Sequence, residues 1–418
     1  MEVDISLKLF HHIDVAFERR IVESDMRRRT FLRAAGAATL LAQRAPAAGK
    51  QYFVYWGTYT TSLPRFGNGE SKGIYVSRLD SETGKLSAPE LAAETRSPSY
   101  LAVHPSGRFL YAVNELGADD SETATGYMTA FSIDPKTGKL KELNRSSTKG
   151  VMPCHLNLDQ TGAMAAAANW SSGSTVSIPV RKDGTLGEAA TLFQHFGERS
   201  GVPPGGPPVE VHCHSVNFTP DNRFLIATDT GLNKVFIHRI DAAKGTFTAH
   251  DPPFVGLKHQ ANPRQFRFHP NGKWAYISNE SGPGCTMLRY DARRGAFEEG
   301  PTGRTVPESY RERMTCAEVE VDPSGKFVYV SNRGHNSIAA MSIDQSTGAP
   351  SLIEAFSLGG NNPRSFNIDP TGGYLFAMLQ RSNAIVPLRI DPQTGKLSRF
   401  GENIPLPAPV CVKFVEIT

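Results

Sequence analysis

The chain has 418 residues, of which 39% are hydrophobic, and a formal net charge of +4 at pH 7. This small charge argues against a protein that binds nucleic acid through a basic surface. The 38 glycines and 29 prolines are typical of many turns rather than of disorder, and five cysteines do not form a disulfide-rich scaffold.

The N-terminal stretch has the features of an export signal. The sequence RRRTFLR, with Arg28 and Arg29 as the pair, resembles the twin-arginine signal. A weakly apolar run from Ala34 to Ala42 follows, which is too short for a membrane span of roughly 20 residues. Ala45-Pro46-Ala47 then supplies the small residues that a signal peptidase reads. We therefore expect a bacterial protein that is periplasmic or secreted.

This interpretation divides the chain into two parts. Residues 1–47 are predicted to be an N-terminal extension and signal peptide, and residues 48–418 a single folded domain. Met26 directly precedes the arginines, so the natural start is Met1 or Met26, and Met26 fits a signal better. The mature chain would begin near Ala48.

The rest of the chain repeats one strand-turn-strand unit. Its clearest copy, DPSGKFVYVSNR, has Pro323 and Gly325 in a tight turn, followed by a β-branched and aromatic strand. The turn and strand recur at 104–115, 159–170, 219–230, 269–280, 322–333 and 369–380. A second marker, a hairpin turn rich in Asp and Gly, ends each unit and occurs seven times, from Asp80–Leu86 to Asp391–Leu397.

Units of about 50 residues built from four short strands are typical of propeller blades. Seven end markers but six turn markers predict that one blade is split between the chain ends. Pro409–Phe414 matches an innermost strand, and Gln51–Tyr59 matches a second strand. We therefore predict an all-β, seven-bladed β-propeller with four-stranded blades, whose last blade is closed by N- and C-terminal strands.

Polar side chains concentrate at the strand ends that converge on one mouth of a propeller channel. Innermost strands start at this mouth, and second strands return to it because they run antiparallel. The candidate site residues are His155, His212, His214, Arg264, Glu318, Arg333, His335 and Arg364. They predict a cationic pocket with one carboxylate, Glu318, suited to an anionic substrate.

Each of these residues also has a structural interpretation. An arginine at a strand start often caps a ladder, and Glu318 could simply pair with Arg333. The site hypothesis therefore depends on their joint convergence. His212, His214 and Cys154 do not have the spacing of a zinc site, so we expect no metal and no cofactor. Four asparagines that recur after the second strands favour a turn-stabilising role: Asn114, Asn169, Asn279 and Asn332.

The blades resemble the seven-bladed lactonase family, which comprises the propeller-type 6-phosphogluconolactonases and the related carboxy-cis,cis-muconate cyclase. The motifs that carry the resemblance are HPSGRFLYAVNE, PCHLNLD, HCHSVNFTPDNRFL, NPRQF, AEVEVDPSGKFVYVSNRGHNSI and NPRSFNIDPTG. The resemblance implies a lactonase whose site pattern falls on His155, His214, Arg264, Glu318, Arg333 and Arg364. The segments at 201–211, 169–170 and 378–381 depart from the family pattern, which affects the substrate rather than the fold.

From this resemblance we expect hydrolysis of a sugar-acid lactone. Glu318 would act as general base, His214 and His155 would relay protons, and Arg333 would stabilise the oxyanion. Substrate binding would fall to Arg264, Arg364, His212 and His335. The alternatives are a cycloisomerase of the muconate type and a non-catalytic ligand-binding propeller of the cell envelope. The expected partner is a small anionic or sugar lactone, with no nucleic acid, no membrane span and a monomeric chain.

Overall fold

The computed structural model describes residues 49–61, 69–117, 125–201 and 209–418. The predicted signal peptide and the extension before it lie outside these described residues. The described part of the chain is built from β-strands, and it includes no helix with the length and hydrophobicity that crossing a membrane requires.

Six blades are formed by consecutive strands, which we number blades 1 to 6. From the channel outward, blade 1 consists of β4 (Pro98–Val103), β5 (Phe109–Asn114), β6 (Tyr127–Ile133) and β7 (Leu140–Ser147), and blade 2 consists of β8 (Pro153–Leu158), β9 (Met164–Asn169), β10 (Ser174–Pro179) and β11 (Thr191–Gln194). Blade 3 consists of β12 (Cys213–Phe218), β13 (Phe224–Asp229), β14 (Lys234–Asp241) and β15 (Thr246–Gly256), and blade 4 consists of β16 (Pro263–Phe268), β17 (Trp274–Asn279), β18 (Gly284–Asp291) and β19 (Ala296–Arg304). Blade 5 consists of β20 (Thr315–Val321), β21 (Phe327–Arg333), β22 (Ser337–Ile343) and β23 (Pro350–Ser357), and blade 6 consists of β24 (Pro363–Ile368), β25 (Tyr374–Leu379), β26 (Ala384–Ile390) and β27 (Leu397–Arg399), with β28 (Ile404–Pro405) also paired to β26.

The seventh blade is closed by strands from both ends of the propeller sequence. Its inner strand is β29 (Pro409–Glu416), followed outward by β1 (Gln51–Thr58), β2 (Gly73–Asp80) and β3 (Glu90–Glu94). Trp56 on β1 pairs with Val412 on β29 in an antiparallel ladder. The predicted seven-bladed fold and its split closing blade are thus confirmed, and closure leaves no unpaired edge between the first and last blades.

The innermost strands form a continuous ring in which β29 contacts both β4 and β24. Alternate side chains of these strands pack between neighbouring blades, as the alternating sequence predicts. The residues three positions before each turn are all at most 1% exposed: Leu101, Leu156, Val216, Phe266, Val319, Phe366 and Val412. On each innermost strand, the side chains that alternate with these inter-blade residues face the channel.

A register irregularity near the start of each innermost strand changes this alternation. The ladder shifts between Pro263 and Phe266 in blade 4 and between Cys316 and Val319 in blade 5. Such bulges re-aim side chains. Arg264 and Arg267 are three residues apart on β16, yet they line cavities at opposite ends of the channel. The irregularity therefore supplies a channel-facing position that regular alternation would not.

The recurring asparagines hold the turns around the mouth, as expected from the sequence. In blade 5, Asn332 is fully buried, and its Nδ2 donates to the Thr305 carbonyl at 3.0 Å and to Ser337 Oγ at 3.1 Å. Asn169 makes the equivalent bond to Ser174 Oγ at 3.1 Å. Asn332 and Asn169 thus each tie the second strand to the third strand and to a loop.

We expect Asn332→Ala to lower the free energy of unfolding by about 1–3 kcal/mol, because it leaves buried polar groups without partners. Asn361→Ala, at an exposed position, is the matched control and should change stability by less than about 0.5 kcal/mol. Urea unfolding followed by fluorescence measures both values. Equal stability of the two variants would contradict the structural role of Asn332.

Candidate active site

One mouth of the central channel opens into a cavity of about 250 Å³, which we call the mouth cavity. The starts of innermost strands contribute His214, Arg264 and Arg364, and the ends of second strands contribute Glu280 and Arg333. The other lining residues are Glu115, Met152, Cys154, Trp170, Asn362, Gln380 and Arg381. The structure thus brings together at one mouth the two kinds of strand end that the sequence analysis combined.

Arg264 is the most unusual cation of this cavity, because only 2% of it is exposed. Its Nε lies 3.6 Å from Glu280 Oε1 and has no hydrogen-bond partner among the described residues. Burial, together with the positive charges of Arg333 and Arg364, lowers the pKa of Arg264 to about 10. The guanidinium is therefore still charged at neutral pH and has donor capacity for a ligand.

Glu280 lies between two of the arginines. Its Oε1 accepts a hydrogen bond from Arg333 Nη2 at 2.8 Å. Burial opposes ionisation of this carboxyl, but the guanidinium groups of Arg264 and Arg333 outweigh it and hold the pKa of Glu280 below its ordinary value. Glu280 is therefore a carboxylate at neutral pH, and it orients Arg333 toward the cavity.

Arg364 is held on the other side of the cavity by Tyr59 and Glu115. Its guanidinium carbon lies 5.3 Å from the centre of the Tyr59 ring, and its Nη2 lies 3.8 Å from Glu115 Oε1. The Tyr59 hydroxyl in turn donates to Glu115 Oε2 at 2.7 Å. This arrangement restricts the rotamers of both charged side chains, which is what a preorganised binding site requires.

His214 is a neutral imidazole at physiological pH. Burial, reinforced by the positive charge of Arg264, holds the pKa of His214 well below its usual range. A neutral imidazole has one nitrogen that donates and one that accepts a hydrogen bond. His214 can therefore pass a proton between two groups in the cavity without being charged at rest.

Two of the predicted catalytic residues lie deeper in the channel. Glu318 is 1% exposed, accepts a hydrogen bond from Ser365 Oγ at 2.9 Å and lies 3.8 Å from Arg267 Nη2. His155 packs against Tyr100, with ring centres 4.0 Å apart and the two ring planes tilted by 35°. Neither residue lines the mouth cavity. Burial raises the pKa of Glu318, although Arg267 partly offsets this effect.

The two remaining histidines of the predicted set do not line the cavity either. His212 stacks in parallel on Trp170, with ring centres 4.1 Å apart, and Trp170 forms part of the cavity wall. His335 bonds Ser337 Oγ through Nδ1 at 2.8 Å and packs against Tyr310. His212 therefore positions a wall residue, and His335 belongs to the turn after the second strand of blade 5.

Within the described residues, no group of three or more histidine, cysteine or acidic side chains is arranged to hold a metal ion. All five cysteines are buried as free thiols. Burial raises the pKa of the Cys154 thiol in the cavity wall far above its ordinary value. Cys154 is therefore a thiol rather than a nucleophilic thiolate at neutral pH.

Residues 53–414 match the family model described as Lactonase, 7-bladed beta-propeller. The chain belongs to this lactonase family. The match spans all seven blades, from β1 to β29, and therefore includes every wall residue of the mouth cavity.

Relatives within and near the family are similar over almost the whole propeller. The chain is 33% identical over 369 residues to the 6-phosphogluconolactonase of Bacillus subtilis, covering 87% of this chain and 99% of the relative. It is 30% identical over 320 residues to the 6-phosphogluconolactonase of Formosa agariphila, covering 75% and 86% of the two chains. The solved periplasmic gluconolactonase of Pseudomonas aeruginosa superposes with a TM-score of 0.80 at 29% identity, covering 88% of this chain and 100% of that one.

The sequence predicted one carboxylate in the pocket, Glu318, whereas the wall of the mouth cavity contains Glu115 and Glu280. A signal for both was present, because each follows a recurring asparagine at a second-strand end, as Arg333 follows Asn332. Four arginines against two glutamates still leave the cavity positively charged, so the predicted cationic character holds.

Proposed function

We propose that this lactonase-family chain hydrolyses a sugar-acid lactone in the mouth cavity. The observation that carries the proposal is the buried guanidinium of Arg264, whose Nε has no partner among the described residues and which lies beside the ionised Glu280. A cation with spare donors suits the oxyanion of a tetrahedral intermediate. The adjacent carboxylate suits the water that attacks the lactone carbonyl.

The reaction can be followed through the residues of the cavity. Water attacks the lactone carbonyl carbon while Glu280 takes its proton, and Arg264 and Arg333 donate to the oxygen that becomes negative. The carbonyl carbon then loses its bond to the ring oxygen. The proton taken by Glu280 reaches this oxygen through His214, which accepts on one nitrogen and donates from the other. Arg364 binds the hydroxyl or anionic end of the substrate.

Glu318 as the general base and His155 as a second relay remain predictions from the sequence. Both lie in the layer beneath the mouth cavity, where Glu318 is paired with Ser365. We assign the base role to Glu280 because it lines the cavity and is already ionised at neutral pH.

Two features favour an unphosphorylated sugar lactone as the substrate. The export signal predicted at Arg28-Arg29 would place the enzyme in the periplasm, and a relative of similar structure is a periplasmic gluconolactonase. The volume of the cavity, about 250 Å³, is also slightly below the range for small-molecule sites, which is roughly 300–1,000 Å³. Because Arg381 adds a further positive charge to the cavity wall, the phosphorylated lactone is the second candidate.

The test is a stopped-flow or pH-stat assay of the full chain with glucono-1,5-lactone and its 6-phosphate. We expect turnover above the spontaneous rate, with higher kcat/KM for the unphosphorylated lactone. In water enriched in ¹⁸O, hydrolysis places one labelled oxygen in the product carboxylate, whereas a cycloisomerase incorporates none. Binding of either lactone without turnover would instead indicate a non-catalytic propeller.

The pH profile of this hydrolysis has an expected shape. Glu280 and His214 must both be unprotonated, and both have pKa values below their ordinary 4.5 and 6.5. Protonation as the pH falls removes activity only below these lowered values. We therefore expect kcat/KM to show no inflection near pH 6.5 and to fall only at a pH well below it. An acid limb centred near pH 6.5 would show that His214 titrates as an exposed imidazole and that its assignment is wrong.

A further inference from the structure

The opposite end of the channel holds a second cavity, of about 540 Å³, which we call the far cavity. It is formed where the innermost strands end, by the residue two positions before each turn. Six of the seven strands place a polar side chain there: Asn157, Asn217, Arg267, Glu320, Asn367 and Lys413. The proposed lactone hydrolysis uses none of them.

Arg267 and Glu320 neutralise each other and fix the amide of Asn217. Arg267 donates from Nε and Nη2 to the two carboxylate oxygens of Glu320, both at 2.8 Å. Its Nη1 donates to Asn217 Oδ1 at 3.3 Å. The amide nitrogen of Asn217 is consequently left as a donor, and this buried Nδ2 has no hydrogen-bond partner among the described residues. A buried donor of this kind requires a ligand or water.

The neighbouring side chains also present donors rather than acceptors. The side-chain oxygen of Asn157 accepts from the Leu158 amide at 2.9 Å, and that of Asn367 accepts from the Ile368 amide at 2.8 Å. The amide nitrogen of Asn157 therefore faces the channel. The amide nitrogen of Asn367 donates to the Val412 carbonyl at 3.4 Å.

His155 adds a donor from the layer above. Its Nδ1 accepts from the Val216 amide at 3.3 Å, so the proton of the neutral ring resides on Nε2. This Nε2 is buried, has no partner in the described part of the chain and belongs to a residue that lines the far cavity. His155, predicted from the sequence as a site residue, thus faces the far cavity and not the mouth cavity.

Lys413 supplies the positive charge of the far cavity. Its Nζ lies 4.7 Å from the centre of the Tyr100 ring, and it forms no ion pair with any described residue. Glu318 faces Arg267 from the layer above at 3.8 Å. Burial raises the pKa of Glu318, and its carboxyl oxygens contact Ser365 Oγ, the Val319 amide and Arg267 rather than Lys413.

We propose that the far cavity is a second ligand site, which binds a small monocarboxylate through Lys413, Asn217 and His155. One uncompensated cation matches one carboxylate charge, and the partnerless amide and imidazole donors match its two oxygens. The site is separate from the mouth cavity, because its ligand contacts none of the residues that line that cavity. It is a binding site only, with no bond made or broken.

The experiment measures acetate binding to the full chain by ligand-observed saturation-transfer NMR at pH 7. The starting protein is Arg264→Gln, because this change weakens anion binding at the mouth cavity. In this protein we expect a saturable acetate signal and none for the neutral analogue acetamide. Adding Lys413→Met should raise the acetate dissociation constant roughly tenfold or more, since a charge-assisted hydrogen bond is lost.

Two further variants show whether a loss of acetate binding comes from the far cavity or from a folding defect. Asn217→Asp keeps an oxygen for Arg267 but replaces the free donor with a negative charge, so it should also raise the dissociation constant roughly tenfold or more. Lys141→Met removes an exposed lysine on β7 and should leave acetate binding unchanged. Circular dichroism and Tm confirm that each variant is folded.

The proposal is overturned if folded Arg264→Gln gives no acetate signal. It is also overturned if acetate binds equally well after both Lys413→Met and Asn217→Asp, or if acetamide competes equally. Because acetate binding needs no turnover, a chain without lactonase activity can still support this site, and an active lactonase can still contradict it.

Discussion

Replacing Arg264 with glutamine is expected to lower kcat for lactone hydrolysis by roughly 100–1,000-fold, the usual cost of removing one oxyanion donor, equivalent to about 3–4 kcal/mol. The reason is the environment of this guanidinium. It is 2% exposed and retains an unused Nε donor, so a developing negative charge would interact with it in a medium that excludes water. Glutamine retains polarity and part of the side-chain volume but not the charge.

The matched control is Arg289→Gln, which removes an exposed arginine from β18 of the same blade. It should leave kcat and KM near their wild-type values. Because Arg264 is buried beside two other arginines, its removal also relieves repulsion, so we expect stability to be retained in Arg264→Gln. A folded Arg264→Gln enzyme with kcat within threefold of wild type would remove this residue from the transition state.

The second large effect is expected from Glu280→Gln, which should reduce kcat by about 100–10,000-fold, the range for loss of a general base. Glutamine can still accept a hydrogen bond from Arg333, so the arginine stays in place while the carboxylate charge disappears. Glu318→Gln, one layer deeper and bonded to Ser365, should have a clearly smaller effect. Steady-state and single-turnover rates of both variants make the comparison.

Glu298→Gln provides the control for these substitutions, because Glu298 is exposed on β19 of the same blade as Glu280. The opposite ranking, with Glu318→Gln inactive and Glu280→Gln active, would return the base role to the residue that sequence reasoning selected. Equal and modest losses in both would indicate that neither carboxylate accepts the proton.

The fold could be predicted because its signals are local and repeated. A turn such as Asp322–Gly325 is determined by four consecutive residues, and the apolar positions of Val319 and Val321 follow the two-residue period of a strand. Six copies of one pattern reinforce each other, and the mismatch with seven end markers revealed the split blade. Apart from the numbers of turn markers and end markers, the prediction needed no information about contacts between distant residues.

The division of the channel into layers was not predictable in this way. The register irregularity in each innermost strand places Arg264 at one mouth, whereas Glu318, which was grouped with it at the strand starts, lies deeper. Sequence spacing does not reveal a bulge, so adjacent positions were treated as one level. The six polar residues of the far cavity were not predicted for another reason. They occupy the same position in their strands but differ in residue type.

The pairing of Trp56 with Val412 joins residues that are separated by nearly the entire propeller sequence. Such a contact has a very high sequence separation, and the entropy of closing so long a loop makes it slow to form. The ring therefore cannot be completed during synthesis until β29 has left the ribosome. Before then, β1 presents an unpaired and largely apolar edge, which makes the nascent protein dependent on protection from aggregation at this stage.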